Sequence, residues 1–337
     1  MNPWLSSAVR SALEGDSFID IKQISINSLQ EAEDFILCYG FDIHDTQDYE
    51  ELNNFRLEAI ALIEEELLTA DEAIPIVSKT QKDIRQLLLI VSGHGDRSQR
   101  PWCAALLRVI HTLVHSHSYL NDIYHDDIRQ QIFERFDKHI KRDKNLVKLG
   151  HITLFNLEFR KAKTRRSVAM KLLHKAENVA ADIFDWIGIR FITHHRSDVL
   201  DVFAYLRQEN IVTFANIKPS RSRNTLLDID WLNTAIDSGK TMEKIRQEMQ
   251  SLDYPSESQR LTDNQFTANS YHSVQITCRQ RIKIKQENGK KFSFYFPFEI
   301  QVMDSESFIK TREGRASHGE YKKRQRASVR KRVLQID

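Results

Sequence analysis

The sequence predicts an α+β protein, with an all-helical region over residues 1–150 followed by a mixed β-sheet flanked by helices over 151–337. Three observations carry this prediction. Up to about residue 150, apolar residues recur at helical spacing. Beyond it, short runs rich in β-branched and aromatic residues alternate with helical segments. Two of those runs are joined by Glu287-Asn288-Gly289, a hairpin signal.

Bulk composition narrows the function classes. The 337 residues suffice for two domains with separate cores. At 41% hydrophobic and 28% charged residues, the composition is that of a soluble globular protein. A net charge of +2 selects no polyanionic partner globally, so that case rests on local patches. Cys38, Cys103 and Cys278 lie far apart with no CxxC pair, which argues against structural zinc and for a reducing compartment. No basic-then-apolar leader opens the chain, and no apolar run nears the roughly 20 residues that span a bilayer. A cytoplasmic protein without membrane contact is expected.

In the first half, Ser28-Leu-Gln-Glu31 reads as a capping box ahead of Ala32, Phe35, Ile36 and Tyr39, with Gly40 placed to stop the helix. Residues 47–68 form a helix with an acidic outer face. Arg100-Pro101-Trp102 opens another helix, with Pro near its start, through Leu106, Leu107, Ile110, Leu113 and Val114. A last helix covers about 122–142. His111 and His115 have the four-residue spacing of metal ligands, but no Glu beside His111 completes HExxH. They read as solvated or capping histidines.

In the second half, residues 185–193, 210–217, 270–278 (extended through Ile282 and Ile284) and 291–302 read as four strands, and 197–209 as a covering helix. Residues 220–265 form an insertion with a helix from Asp230 to Leu252. A connection this long is either functional or decorative. From Lys310 to Arg332 the tail is dense in cations: a solvated helix by default, or an electrostatic footprint for a phosphate-rich ligand. The interleaved His318 and Tyr321 favour the ligand.

The chain is organised around 159–193. A cation cluster (Arg160, Lys161, Lys163, Arg165, Arg166) precedes Ser167 and a helical segment carrying Lys171. Cations just ahead of a helix suit phosphate, because side chains and free N–H groups favour the same anion. Asp185 enters one apolar strand and Glu299 interrupts another. Acidic residues are uncommon in such runs unless functional or paired. If the two strands are neighbours, these carboxylates can share a Mg²⁺ carried by a nucleotide, or one can accept a proton from an attacking hydroxyl.

Five short motifs then resemble, in order, the synthetase domain of the RelA/SpoT alarmone synthetases, which has a nucleotidyltransferase-like fold. They are Lys161-x-Lys163-x-x-x-Ser167-x-x-x-Lys171, Asp185-Trp-Ile-Gly188-Ile-Arg190, Ser270-Tyr271-His272-Ser273-Val274-Gln275, Glu299-Ile-Gln301-Val302 and Ala316-Ser-His318-Gly-Glu-Tyr321-Lys322. The resemblance covers about 155–325. It implies an ATP- and Mg²⁺-dependent pyrophosphokinase that moves pyrophosphate to the ribose 3′-hydroxyl of GDP or GTP. Lys161, Lys163, Ser167 and Lys171 would then hold the ATP phosphates, supported by Arg190. Asp185 would bind Mg²⁺, with Glu299 as second ligand or base. Tyr271 would stack on the acceptor base, and Gln301, His318 and Lys322 would line the acceptor side.

Ser270 stands where the family has Gly, and Gln275 where it has His. Both departures lie on the acceptor side, so an adenine nucleotide or the tRNA 3′ end stays open as acceptor, as in toxin-type members. A module that binds nucleotides without chemistry, or a partner-binding scaffold, is the alternative of a different class. The helical half has no counterpart of the family's hydrolase domain. It is expected to be accessory, holding the enzyme inactive, binding a regulatory partner or mediating self-association.

Overall fold

The computed structural model describes residues 18–20, 24–116, 119–144, 146–160, 164–174, 186–255, 272–286, 288–312 and 318–335. The chain forms two compact units: Met1–Ser118 with Thr164–Asp182 and Lys323–Asp337, and Tyr119–Lys163 with Ile183–Lys322.

The first unit is helical. It holds α1 (Leu29–Tyr39), α2 (Thr46–Leu62), the short α3 (Ile76–Thr80), α4 (Ile84–Val91) and α5 (Arg100–His115). Local chemistry sets the ends of α1 as expected. Ser28 Oγ accepts from Glu31 N at 3.1 Å, and Gly40, at φ 114°, closes the helix in a left-handed conformation that only Gly adopts without strain. Leu52, Phe55, Ala59, Leu106, Val109 and Leu113 pack into one core with Ala169, Met170, Val329 and Val333. Arg108, buried in that core, donates to the backbone oxygens of Ile19 (2.8 Å) and Val333 (3.0 Å). It satisfies one of the last carbonyls of the C-terminal helix that have no partner within the helix.

The second unit is built on a seven-stranded mixed sheet in the order β1-β2-β3-β4-β7-β6-β5. After α6 (Tyr119–Asp137) the strands β1 (Ile140–Asp143), β2 (Leu146–Leu149) and β3 (Ile152–Phe159) form an antiparallel meander. The helix α7 (Arg165–Leu173), which packs in the helical unit, precedes β4 (Gly188–Thr193). Then come α8 (Asp198–Gln208), the two-residue β5 (Arg223–Asn224), α9 (Ile229–Asp237) and α10 (Met242–Ser251). The long hairpin β6 (Val274–Lys285) and β7 (Lys291–Asp304) follows, then α11 (Ser305–Arg312) and α12 (His318–Leu334), which belongs to the helical unit from Lys323 on. Gly289, at φ 79°, turns the hairpin where Asn288-Gly289 predicts it. The fold class is the mixed α+β expected.

Several elements differ from expectation: β2, β3 and β5 were not foreseen, and β4 begins at Gly188 and not at 185. The helix over 122–142 ends at Asp137, and Ile140–Asp143 pairs as a strand instead. Residues 210–217 are not a strand. Asn210 turns left-handed (φ 52°) and the N–H groups of Ile211 and Val212 bond back to Leu206 O, so this apolar run closes α8. Ile217 alone bridges to Cys278. The single helix over 230–252 is two helices, broken at Gly239 (φ 73°) and restarted by Thr241, whose side chain accepts from Lys244 N.

Candidate active site on the polar face of the sheet

Strand register assembles the site. Along the parallel β4–β7 pair Gly188 stands beside Glu299 and Arg190 beside Gln301. Across the antiparallel β6–β7 pair Gln275 opposes Gln301 and Thr277 opposes Glu299, while β3 sets Glu158 against Arg190. Side chains alternate along a strand, so these residues share one face. The opposite face is apolar, with Phe136 of α6 in ring contact with Phe191 and Phe298.

On the polar face the charges alternate through a connected network. Arg160, just past β3, places Nη2 2.8 Å from Glu299 Oε1 and donates to Gln301 Oε1 at 3.1 Å. Arg190 Nε donates to the same oxygen at 2.7 Å, and its Nη1 to Glu158 Oε2 at 3.0 Å. Arg312 Nη2 completes the series on Glu158 Oε1 at 2.9 Å. Gln301, 0% exposed, takes two guanidinium groups on its oxygen and donates from Nε2 to Ser273 Oγ at 3.3 Å. It orders the two arginines from below. Guanidinium forks held this way suit phosphate oxygens, because their orientation is set before a ligand arrives.

Glu299 Oε1 is buried, and no N–H is aimed at it despite the nearby guanidinium. The contact is an ion pair by distance, not an aligned hydrogen bond. A hard carboxylate oxygen with an open acceptor position fits magnesium as one ligand. Among the described residues, no three His, Cys, Asp or Glu side chains gather to hold a metal ion. A cation at Glu299 would therefore need water, substrate phosphate or residues outside the described set.

Of the sequence-predicted residues, Arg190, Glu299 and Gln301 converge on this face. Ser167 and Lys171 stand on α7 in the helical unit, where Ser167 N donates to Thr164 Oγ1, the helix cap. Lys322 is exposed on α12, which His318 begins. Asp185, Lys161, Lys163 and Tyr271 lie outside the described residues. Gly188, three residues after Asp185, is placed directly beside Glu299.

Several cations have partners the sequence reading did not assign. Arg165 pairs with Glu58 at 2.8 Å and Arg166 with Glu65. In the tail Arg326 pairs with Glu66 and Arg332 with Asp20, each at 2.6 Å, and Arg330 forks onto Glu72 at 2.6 and 2.7 Å. The tail is thus not a bare electrostatic footprint. Its helix docks by Val329 and Val333, and Arg326 and Arg330 meet acidic residues that follow α2, while Arg332 meets Asp20 ahead of α1. Nor are His111 and His115 solvated. They lie half-buried 4.6 Å apart by ring centroids, with His111 Nδ1 2.7 Å from Tyr39 Oη.

The end of the insertion reaches the site. Tyr254 stacks on His272 at 3.8 Å and 5°, and Arg196 Cζ lies 4.2 Å over its other face. His272 Nδ1 is 2.8 Å from Thr225 O, and Ser273 N donates to Thr225 Oγ1 at 3.0 Å. Ser273, the partner of Gln301, is thereby fixed from both sides. The sequence reading quoted Ser273 in a motif without giving it a role, and missed Glu158, Thr225 and Tyr254. Glu158, in the alternating run of β3, carried the same signal as Glu299.

No family model matches the chain, and no curated protein matches it. Among solved structures it is similar to a GTP pyrophosphokinase family protein from Streptococcus pneumoniae, at 15% identity over 64% of this chain and 83% of that one, with a TM-score of 0.27. It is also similar to smu.1046c from Streptococcus mutans UA159, at 18% identity over 65% and 88% of the two chains, again with a TM-score of 0.27. At that TM-score neither likeness carries weight.

Proposed function

We propose that this protein is a pyrophosphokinase that transfers the β,γ-pyrophosphate of ATP to the 3′-hydroxyl of a ribonucleotide, a guanine nucleotide first. One observation carries the reading. Arg190, Gln275, Glu299 and Gln301, from three of the five motif segments and with 111 positions between Arg190 and Gln301, meet on adjacent strands with their side chains on one face. The motif order in the sequence supports the rest.

In this reading the acceptor oxygen attacks the β-phosphorus, the bond from that phosphorus to the α,β-bridging oxygen breaks, and AMP leaves. Arg160 and Arg190 face the phosphates, and Gln301 keeps both guanidinium groups aimed. Glu299 takes the hydroxyl proton and offers an oxygen to magnesium, with Asp185 as the second carboxylate. Magnesium, when bound, would neutralise charge on the β- and γ-phosphates. Such transfer is mainly positioning and charge neutralisation and needs no covalent intermediate.

The test is purified protein with γ-labelled ATP, magnesium, and GDP, GTP, an adenine nucleotide or tRNA as acceptor. Label on a guanine nucleotide supports the proposal, label on tRNA alone replaces its acceptor, and no label on any acceptor defeats it. Glu299→Gln is expected to lower turnover by about 10²-fold or more, the usual share of a positioned base, with a melting temperature within a few degrees of wild type. Unaltered turnover in that variant would refute the assignment of Glu299.

A further inference from the structure

Beyond Thr277 the β6–β7 hairpin continues the site's face outward as a two-stranded ribbon. Register is unbroken from Val274↔Val302 to Lys285↔Lys291, so the alternation that faces Glu299 and Gln301 also faces Arg279, Arg281, Lys283 and Lys285 on β6, with Lys291, Ser293 and Tyr295 on β7. Each of these four β6 cations is exposed, and the residues between them, Gln280, Ile282 and Ile284, are buried. The ribbon's inner side is held by α6: Gln131 bonds both Lys283 N (3.0 Å) and Lys283 O (2.9 Å), and Gln280 Nε2 donates to Gln131 O.

Three features of this stripe suit a phosphate-bearing ligand. Arg279, Lys283, Lys285, Lys290 and Lys291 make no ion pair among the described residues. Arg281 is oriented by Ser293 Oγ, which accepts from its Nε at 3.1 Å and its Nη2 at 2.7 Å. Tyr295, directly across from Arg281, is 57% exposed in the middle of the stripe. Alternate residues of a strand stand about 6.6 Å apart, close to the spacing of successive phosphates along an extended polynucleotide.

We infer that this outer face binds a single-stranded RNA segment, with backbone phosphates on the alternate cations and a base stacked on Tyr295. Charge without sequence readout, plus an aromatic platform, is how proteins hold single strands. A duplex or an anionic bilayer has no base to offer Tyr295. The choice of RNA over DNA rests on the ribonucleotide reading of the adjoining site, because the same face runs without interruption from the ribbon to Glu299.

The experiment is fluorescence anisotropy of a labelled 12-nucleotide single-stranded RNA titrated with the full chain, without ATP, over a range of salt. Affinity should fall with log salt at a slope of about −3 for four phosphate contacts. The double variant Arg281→Glu/Lys283→Glu should weaken binding at least tenfold, and Tyr295→Ala at least fivefold. All three changes are on exposed positions, and melting temperatures confirm that the variants fold. An affinity that ignores the double variant overturns the inference. So does tighter binding to the DNA strand of the same sequence, to the RNA duplex, or to phosphatidylglycerol vesicles. Failure here is separable from failure of the proposed activity. Transfer to guanine nucleotides with no ribbon-dependent RNA binding sinks this inference alone, and ribbon-dependent binding without any transfer sinks the enzyme alone.

Discussion

Gly188 leaves the space through which Arg160 reaches Glu299: a Cβ built on Gly188 would stand 2.8 Å from Arg160 Cδ. A glycine in a strand is normally a weakness, tolerated where another group must pass close by, and Gly188 opens β4. Here the passing group is a guanidinium stem whose head lies against the carboxylate.

Gly188→Ala should therefore displace Arg160 more than it unfolds the sheet. Overpacking of this kind costs about 1–3 kcal/mol, a fall in melting temperature of roughly 2–12 °C for a domain of this size. Transfer should drop by a larger factor than the stability loss explains, with the rise in KM for ATP exceeding any rise for the acceptor. A variant with full activity would mean that Arg160 does not need its present path.

Tyr254 is expected to act on Ser273 through His272. Losing the stacked ring and the cation over it should cost about 1–3 kcal/mol in Tyr254→Ala. Tyr254→Phe should restore stability, because the stack uses the ring. The informative readout is kinetic: the alanine variant should raise the acceptor KM with little change in the KM for ATP. Equal change in both constants would reduce Tyr254 to a packing residue.

The helical unit should lose stability in mild acid. Burial pushes the His111 imidazole down to about 4, and burial lowers His115 as well. Burial also raises the Tyr39 phenol, so its hydroxyl stays protonated beside His111. A histidine kept neutral in the fold binds fewer protons than the unfolded chain does. Its contribution is therefore complete above about pH 6.5 and is lost as pH falls toward 4, with a limiting slope of about 1.4 kcal/mol per pH unit per group. Melting temperature measured from pH 7.5 to 4.5 should fall, and less steeply in His111→Gln. Glu72, whose carboxyl is held at about 2 chiefly by the Arg330 hydrogen bond, sheds its contribution in a separate window below about pH 4.5.

Arg330→Ala should lower the melting temperature at low salt, and the gap from wild type should narrow as salt rises. The pair with Glu72 is partly exposed, at 29% and 27%, so screening weakens it. A gap that does not respond to salt would mean that Arg330 acts mainly through its contact with Leu67 O.

Much of the local structure was legible. Asn288-Gly289 marked the hairpin, Ser28 and Gly40 marked the ends of α1, and the helix over 197–209 appears as α8. Each depends on neighbours within a few positions, and short-range stereochemistry acts alike in any context. Glu299 was conspicuous because a carboxylate is costly in an apolar strand unless something meets it. The reading failed where a segment's fate depended on distant partners. Residues 210–217 have strand composition, yet their N–H groups close the preceding helix. Arg165, Arg166 and the tail arginines read as phosphate ligands until their acidic partners, more than a hundred residues away for Arg165 and over 250 for Arg326 and Arg330, are in view.

The amino-acid sequence by itself determined most of the helices, where the long hairpin turns, and that a carboxylate would stand among apolar strand residues. Period and turn chemistry are properties of a few consecutive residues. Only the tertiary structure decided that β4 runs parallel to β7, that Arg160 crosses Gly188 to Glu299, and that the hairpin's cations share the face of the site. Those outcomes depend on pairing between strands about a hundred residues apart. Such pairing is chosen by the burial of whole faces at once, which no short stretch of sequence encodes.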